Sequence, residues 1–219
     1  MPLLGMGGMA LFKAEVPGPM KEEKLTPRIA QTARNLWFVY ISLMLACIAS
    51  YYIAGMDLFD AITHGFSTVA TAGFANYDDS IGYFQSEVIN WIAIFFMFMG
   101  GINFTLHFLV FREKSIKRYF QNFELRTFFF VSVSASIIVA LTLHYFSVFN
   151  GWYDSIVNAF FTVIAMITTT GFLINPFSDW PTFLPLLLIF LSFMGACAGS
   201  TTGGMKMIRI ILICKQAYS

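Results

Sequence analysis

Long apolar runs without a charged residue constrain this chain most. Residues 36–54, 88–111 and 128–149 contain no Lys, Arg, Asp or Glu, and about 20 apolar residues are enough to cross the ~30 Å hydrocarbon core of a bilayer. A large soluble helical core would need Lys and Glu spread along amphipathic helices, whereas this sequence is 58% hydrophobic and only 11% charged. Because backbone polar groups in lipid must be paired internally, we predict an all-α polytopic membrane protein.

Two shorter apolar segments lie between the long runs and resemble each other. Residues 59–74 read FDAITHGFSTVATAGF, and residues 153–172 read YDSIVNAFFTVIAMITTTGF. Each is too short to cross a bilayer, and each ends in Thr, a small residue, Gly and an aromatic residue. We predict short helices over residues 57–70 and 153–167, each followed by a re-entrant Thr/Gly loop, so that a span–pore helix–span unit occurs twice.

The chemistry of these two loops suits a dehydrated cation. A filter replaces the hydration shell of the ion with backbone carbonyl oxygens, Gly permits the backbone angles that this requires, and the C-terminal end of each short helix adds a partial negative charge. A re-entrant hairpin that serves only packing is the alternative. The candidate filter residues are Ala70, Thr71, Ala72 and Gly73 in the first Thr/Gly loop (residues 70–73) and Thr168, Thr169, Thr170 and Gly171 in the second Thr/Gly loop (residues 168–171).

The last apolar segment, residues 180–214, is far longer than one straight crossing. It is interrupted at residues 195–206 by the sequence GACAGSTTGGMK, where each Gly costs about 1 kcal/mol in a helix relative to Ala. Irregular backbone at membrane depth is tolerated where protein covers it or where it lines water. We therefore predict a broken helix facing a cavity, and residues 195–206 are named the glycine-rich loop.

The basic residues set the predicted orientation. All 13 Lys and Arg fall within residues 13–34, 112–126 and 206–215, whereas residues 55–87 and 150–182 contain no Lys or Arg. The positive-inside rule places the basic segments in the cytoplasm. Both Thr/Gly loops are then predicted to enter from outside and to face outside.

Five motifs cover nearly the whole chain: STVATAGF at residues 67–74, TTTGF at 168–172, MGGINF at 99–104, PLLGMGGM at 2–9 and GACAGSTTGGMKMIR at 195–209. Together they resemble the Trk/Ktr/HKT superfamily of K⁺ transporters, and most closely its TrkH-type bacterial uptake family. Members of this superfamily have four linked span–pore helix–span repeats around one pore. The resemblance implies that Gly73 and Gly171 are the filter glycines of the second and third repeats.

The resemblance also implies the activity and its setting. It indicates K⁺ transport across the bacterial inner membrane, with K⁺ held by the backbone carbonyls of the filter residues and no cofactor in this chain. It further implies contact with membrane lipid, a homodimer of the intact parent and a cytoplasmic nucleotide-binding regulatory subunit, but no nucleic acid. On this basis residues 1–34 are the end of a preceding repeat plus a cytoplasmic linker, residues 35–113 are one pore repeat, and residues 114–219 are a second with a long broken final helix.

The glycine-rich loop matches the segment that gates conduction below the filter in this superfamily. Such a segment moves easily because Gly restricts the backbone little. Lys206 either places a positive charge near the cation path or snorkels to the cytoplasmic interface. The residues assigned to the gate are Gly195, Gly199, Ser200, Thr201, Thr202, Gly203, Gly204 and Lys206.

The remaining polar residues receive structural roles. We expect His64, His107 and His144 to serve packing, since none has a metal-type partner at suitable spacing. Asp60 and Asp154 recur in equivalent positions near the starts of the short helices, where we expect an N-terminal helix charge or cap or, secondarily, cation attraction.

Glu124 and Arg126 lie in the basic linker, residues 112–126. We expect Glu124 and Arg126 to lie on a solvated face or to contact a cytoplasmic subunit. Cys47, Cys197 and Cys214 suggest neither a disulfide framework nor a metal site. No span offers a nucleophile with a base or paired acids at depth, so we do not expect an enzyme.

A four-fold filter needs four loops, and this sequence contains two. We therefore expect a fragment of a longer gene product or a truncated reading frame. The competing hypothesis is a non-conducting membrane subunit that only associates with a full-length homologue. A secondary transporter with broken helices is a further alternative, against which the repeated Thr/Gly loops argue.

Overall fold

The computed structural model describes residues 29–178, 180–181 and 183–217, and these residues are helical with no strand. The predicted all-α class is confirmed. Helix α1 begins at Ile29, before the boundary predicted after residue 34, and the division into repeats stays a prediction. The predicted end of a preceding repeat lies outside the described residues.

The helices are α1 Ile29–Ile53, α2 Leu58–Val69, a 3₁₀ helix Ser80–Phe84, α3 Glu87–Gly100, α4 Phe104–Glu113, α5 Lys117–Gln121, α6 Phe123–Tyr145, α7 Trp152–Ile167, α8 Phe183–Met194 and α9 Met207–Ala217.

Two helices of the described residues are long and apolar enough to cross a membrane on their own. They are α1, over Ala33–Ile53, and α6, over Phe123–Tyr145. Helix α6 begins earlier than the predicted residue 128, because the Asn122 side chain accepts a hydrogen bond from Leu125 N at 2.9 Å and caps the first turn. The predicted spans at residues 36–54 and 128–149 are thus present with shifted ends.

The span predicted over residues 88–111 is not one straight helix. Helices α3 and α4 form a pair bent by 94°, so this prediction is wrong in its geometry. Gly100 and Gly101 weaken the helix at the bend, and the Asn103 side chain accepts from Thr105 N at 2.8 Å to start α4. The freed backbone groups pair with the glycine-rich loop: Cys197 N donates to Gly101 O at 3.0 Å, and Phe104 N donates to Gly199 O at 3.0 Å.

The helices pack around two apolar cores that meet on α7. Phe128, Val139 and Leu188 belong to the core between α6, α7 and α8, whereas Tyr51 and Met97 belong to the core between α1, α2 and α3. Helix α7 contributes to both cores and is buried on most of its surface. It therefore lies between the two halves of the described chain.

Outward faces of the helices are apolar. Large hydrophobic side chains are exposed along α1, α6 and α8, which suits contact with lipid acyl chains. The order of long helix, short helix and interrupted helix occurs twice, first in α1 to α4 and again in α6 to α9. Helices α8 and α9 are separated by the predicted glycine-rich loop. The exposed faces are Trp37, Phe38 and Leu45 on α1, Phe129, Phe130, Ile137 and Leu141 on α6, and Leu186, Phe190 and Phe193 on α8.

Candidate functional site

The two Thr/Gly loops have the same backbone conformation. Thr71 and Thr169 have φ values of 51° and 55°, and Gly73 and Gly171 have φ values of 76° and 78°. Non-glycine residues with positive φ are uncommon, so two Thr residues with this conformation at matching places are a specific similarity. The loops are therefore structural equivalents in the register that pairs Thr71 with Thr169.

Hydrogen bonds at the helix ends repeat in the same register. In the first unit Ala72 N donates to Ser67 O at 2.8 Å, and in the second Thr170 N donates to Ala165 O at 2.8 Å. These bonds close the C-terminal turns of α2 and α7 as the chain leaves each helix. The partial negative charge at the C-terminal end of each short helix consequently lies at the base of its loop.

The two loops touch each other through backbone atoms. A Cβ atom added to Gly73 would lie 1.8 Å from Thr170 O, which no side chain tolerates. A Cβ atom on Gly171 would meet no heavy atom within 4 Å among the described residues. Glycine at residue 73 is therefore required by both its φ and its close neighbour, whereas at residue 171 only φ requires it.

Hydroxyl groups of the loops bond within the protein. Thr168 Oγ1 donates to Ile164 O at 2.6 Å and lies 2.8 Å from Thr170 Oγ1, while Thr71 Oγ1 donates to Ala70 O at 2.7 Å. Thr71, Thr168 and Thr170 are buried, and Ala72 is exposed. The hydroxyl groups thus stabilise the loops, and the backbone carbonyl groups are left to bind a ligand.

The glycine-rich loop lies against both Thr/Gly loops. Thr201 Oγ1 is 2.9 Å from Val69 O and 3.1 Å from Gly100 O, and it is 3.4 Å from Thr71 Oγ1. On the other side, Gly203 N donates to Thr169 Oγ1 at 2.7 Å. The structure therefore brings together the two predicted filter loops and the predicted gate loop.

Positive φ values and internal hydrogen bonds shape the glycine-rich loop. Gly195, Gly199 and Gly204 have φ values of 66°, 71° and 72°. Ser200 Oγ donates to Cys197 O at 2.6 Å and lies 2.8 Å from Thr202 Oγ1.

Lys206 folds back onto this loop. Its Nζ donates to Thr202 O and lies 3.4 Å from Thr202 Oγ1, and the side chain is half-buried. The ammonium group therefore lies against the glycine-rich loop.

Glu124 is not on a solvated face, so that prediction is wrong. Its side chain is buried, and its Oε1 accepts hydrogen bonds from Ala198 N at 2.8 Å and Ile208 N at 3.2 Å. Arg126, by contrast, is exposed. Linear spacing within a basic linker carries no signal for this burial, because the partners lie more than seventy residues away along the chain.

Asp60 and Asp154 lie in the first turns of α2 and α7, as predicted for an N-terminal helix charge, but neither is the cap, so the capping alternative is wrong. The residue before α2 is Asp57 and the residue before α7 is Gly151, and neither cap has a side-chain hydrogen bond. Asp60 instead accepts from Asn76 Nδ2 at 2.8 Å and from Tyr77 Oη at 2.9 Å. It holds the chain that follows the first Thr/Gly loop.

Asn158, rather than Asp154, is the structural equivalent of Asp60. Asn158 Oδ1 accepts from Asn175 Nδ2 at 2.7 Å, as Asp60 accepts from Tyr77. Counting in both directions from Thr71 and Thr169 pairs Asp60 with Asn158 and Tyr77 with Asn175. These residues were not predicted from the sequence, although the repeat register contained the signal.

The three His residues occupy packing positions. His64 is fully buried against Phe84 and Tyr77, and His107 bonds to Tyr119 Oη at 2.7 Å and to Met99 O at 3.0 Å. The ring of His144 packs edge-on against Trp152. Within the described residues, no group of three or more His, Cys, Asp or Glu is placed to hold a metal ion.

Apolar spanning helices and a pair of short helices that end in equivalent loops define a polytopic helical membrane protein. The chain belongs to the TrkH cation transport protein family, whose sequence model matches residues 1–219.

Named relatives agree with this assignment. The chain is 47% identical over 218 residues to the Trk system potassium uptake protein TrkH of Vibrio parahaemolyticus, covering 99% of this chain and 45% of that protein. It is 40% identical to TrkG of Escherichia coli K12, covering 99% of this chain and 44% of that protein. The crystal structure of the potassium transporter TrkH from Vibrio parahaemolyticus superposes with a TM-score of 0.87 at 44% identity, covering 98% of this chain and 46% of that one. The chain spans about half the length of the relatives it matches.

Proposed function

We propose that this chain contributes two loops to a K⁺ permeation pathway, and that its activity is transport rather than catalysis. The observation that carries the proposal is the shared geometry of the two Thr/Gly loops, which repeat their φ values and touch through Gly73 and Thr170. Relatives are named as potassium uptake proteins. A pore that strips water from K⁺ needs backbone carbonyls at close quarters, and these loops supply them.

In this proposal the filter ligands are backbone carbonyl oxygens. The C-terminal ends of α2 and α7 favour a cation at the base of the loops, and the loop hydroxyls are already bonded within the protein. K⁺ is the transported ion, and the mechanism requires no cofactor in this chain. The proposed filter residues are Ala70, Thr71, Ala72, Gly73, Thr168, Thr169, Thr170 and Gly171.

We assign gating to the glycine-rich loop. Its Thr201 and Gly203 bond to the first and second units respectively, so a displacement of this loop breaks contacts at both Thr/Gly loops. Left-handed glycines at three positions allow the backbone to rearrange with little steric cost. The gate residues are Gly195, Gly199, Ser200, Thr201, Thr202, Gly203, Gly204 and Lys206.

The proposed setting is the bacterial inner membrane. Basic residues cluster in the segments 13–34, 112–126 and 206–215, which the positive-inside rule places in the cytoplasm. The Thr/Gly loops then face outside. We further propose a homodimeric parent that binds a cytoplasmic nucleotide-binding subunit, for which the support is the family resemblance and the exposed basic linker between α4 and α6.

Glycine substitutions test the function directly. Gly73→Ser and Gly171→Asp are introduced into the gene product that carries these residues, and uptake of K⁺ or Rb⁺ is measured in uptake-deficient cells. Both variants are expected to lose most uptake while reaching the membrane at normal levels. Gly151→Ser is the matched control, because Gly151 precedes α7, away from the loops, and Ser suits a helix N-cap.

Unchanged uptake in both loop variants contradicts the assignment. Rescue of uptake by the 219-residue chain alone excludes the alternative of a non-conducting membrane subunit. Co-purification of the chain with a full-length relative, without rescue, favours that alternative.

A further inference from the structure

Glu124 lies where a charged residue is expensive to bury. It is in the first turn of α6 and is only 3% exposed. A buried carboxylate needs hydrogen-bond partners to offset its lost hydration, and those of Glu124 are both backbone N–H groups. Oε1 accepts from Ala198 N at 2.8 Å and from Ile208 N at 3.2 Å.

These two partners lie at opposite ends of the glycine-rich loop region. Ala198 is in the first half of the loop, and Ile208 is the second residue of α9. The first N–H groups of a helix have no acceptor within it and favour a negative charge. One oxygen of Glu124 therefore links the first half of the glycine-rich loop to the first turn of α9 through two hydrogen bonds.

We propose that Glu124 is a positioning residue that holds the glycine-rich loop in the conformation described here. In this conformation Thr201 Oγ1 lies 3.4 Å from Thr71 Oγ1 in the first Thr/Gly loop, and Gly203 N donates to Thr169 Oγ1 in the second. Movement of the loop away from them requires Ala198 N and Ile208 N to leave the carboxylate, or α6 to move with the loop. Both hydrogen bonds depend on an acceptor oxygen at this reach, and two buried N–H groups would be left unpaired without it, so this anchor biases the loop toward the bound state. The consequence for transport rests on the proposed gating function, whereas the positioning itself does not.

Cysteine labelling reports on the loop without reference to transport. Cys197 is next to Ala198 and is 1% exposed, while Cys47 is buried in α1 and Cys214 is exposed in α9. The purified gene product is treated with N-ethylmaleimide, and the labelling rate of each cysteine is followed by peptide mass spectrometry. Cys47 reports general unfolding, and Cys214 reports reagent delivery.

Three substitutions vary the acceptor oxygen at residue 124. Glu124→Ala removes the acceptor and leaves two buried N–H groups unpaired, so labelling of Cys197 is expected to rise about tenfold or more. Glu124→Asp keeps the charge but retracts the carboxylate, and a smaller rise is expected. Glu124→Gln retains an amide oxygen at the same reach and is expected to stay near the wild-type rate. Glu113→Ala is the matched control, because its carboxylate pairs with Arg118 on the surface.

Two results overturn the proposal. One is an unchanged Cys197 rate in Glu124→Ala; the other is a parallel rise of Cys47 and Cys197, which indicates general loss of structure. If Glu124→Ala does not fold, the comparison of Glu124→Asp with Glu124→Gln decides in the same way, since only the former is expected to expose Cys197.

K⁺ flux in the same variants separates the positioning role of Glu124 from the gating role of the glycine-rich loop. Faster Cys197 labelling together with altered flux supports both the anchor and the gate. Faster labelling with unchanged flux supports the anchor and contradicts gating by the glycine-rich loop.

Discussion

At the level of single residues, equivalent positions in the two loops face different surroundings. Gly73 lies against Thr170 O, whereas the space beside Gly171 is open among the described residues. Both have positive φ, so both disfavour a side chain. Steric contact is an added constraint at residue 73 alone, and the two glycines are expected to respond differently to the same substitution.

Alanine at these two positions tests the difference. Gly73→Ala is expected to abolish K⁺ uptake, because its Cβ would lie 1.8 Å from Thr170 O and must separate the loops. Gly171→Ala carries only the left-handed backbone cost, about 1–2 kcal/mol, and is expected to retain measurable uptake. Rb⁺ influx and size-exclusion profiles of the purified variants provide the measurement. Equal loss at both positions would show that loop contact is not the deciding constraint.

Tyr77 provides a pH-dependent reporter of the segment after the first Thr/Gly loop. The hydrogen bond that it donates to Asp60 raises the pKa of Tyr77 to about 12 from an ordinary value of 10.0, because only the neutral phenol can donate it. The resulting stabilisation is fully present below pH 10 and is lost as the pH rises toward 12. An alkaline titration of tyrosinate absorbance, compared with that of Tyr77→Phe, isolates this group.

Asp60→Asn is the informative variant for the same titration. Asn removes the negative charge but keeps an acceptor oxygen, as Asn158 does in the second unit. The pKa of Tyr77 is expected to fall toward its ordinary value in this variant. A Tyr77 titration unaffected by Asp60→Asn would mean that the phenol does not bond to this carboxylate in solution.

At the level of secondary-structure elements, one hydroxyl links three segments. Thr201 of the glycine-rich loop lies within hydrogen-bond distance of Val69 O at the end of α2 and Gly100 O at the end of α3. Thr201 N also donates to Gly100 O, at 3.3 Å. The contact therefore connects the first Thr/Gly loop, the bend between α3 and α4, and the glycine-rich loop.

Thr201→Val tests this link because it keeps the shape and removes the hydroxyl. The loss of one hydrogen bond is expected to destabilise the protein by about 1 kcal/mol and to alter basal K⁺ flux. Thr201→Ser retains the hydroxyl and is the matched control, expected to resemble the wild type. Thermal unfolding and liposome flux assays measure the two effects. Identical behaviour of the Val and Ser variants would contradict a role for the hydroxyl.

Element positions were largely predictable, but their contacts were not. The short helices α2 and α7 fall within one residue of their predicted ends, because each is an apolar segment bounded by a Thr/Gly loop. The bend after Gly100 was missed, since MGGINF lies inside an apolar run of spanning length. Its exposed backbone groups are satisfied by distant residues, namely Cys197, Gly199 and Thr201.

The burial of Glu124 was unpredictable for the same physical reason. A carboxylate in a basic linker ordinarily faces water, and its actual partners are main-chain N–H groups that have no sequence signature. The error over Asp154 was different, because the repeat register already paired Asp60 with Asn158. Aligning the units on the loops, rather than on acidic residues, gives the correct equivalence.

At the level of the whole molecule, the two units are joined by hydrogen bonds between the segments that follow their Thr/Gly loops. Gly82 N donates to Leu173 O at 3.1 Å, and Leu173 N bonds to Ser80 Oγ at 3.3 Å. Phe172 is fully buried in the core of the first unit, whereas its equivalent, Phe74, is 80% exposed among the described residues. The same motif thus packs in one unit and projects from the surface in the other.

Anomalous diffraction from Rb⁺ would locate the permeating ion directly. Crystals of the gene product that carries these residues are grown with Rb⁺ in place of K⁺, since Rb⁺ is close in size and scatters anomalously. We predict a peak among the carbonyl oxygens of residues 70–73 and 168–171, which is lost in crystals of Gly73→Ser. Strong anomalous peaks elsewhere in the protein, with none between the two Thr/Gly loops, would contradict the assignment of these loops to the ion pathway.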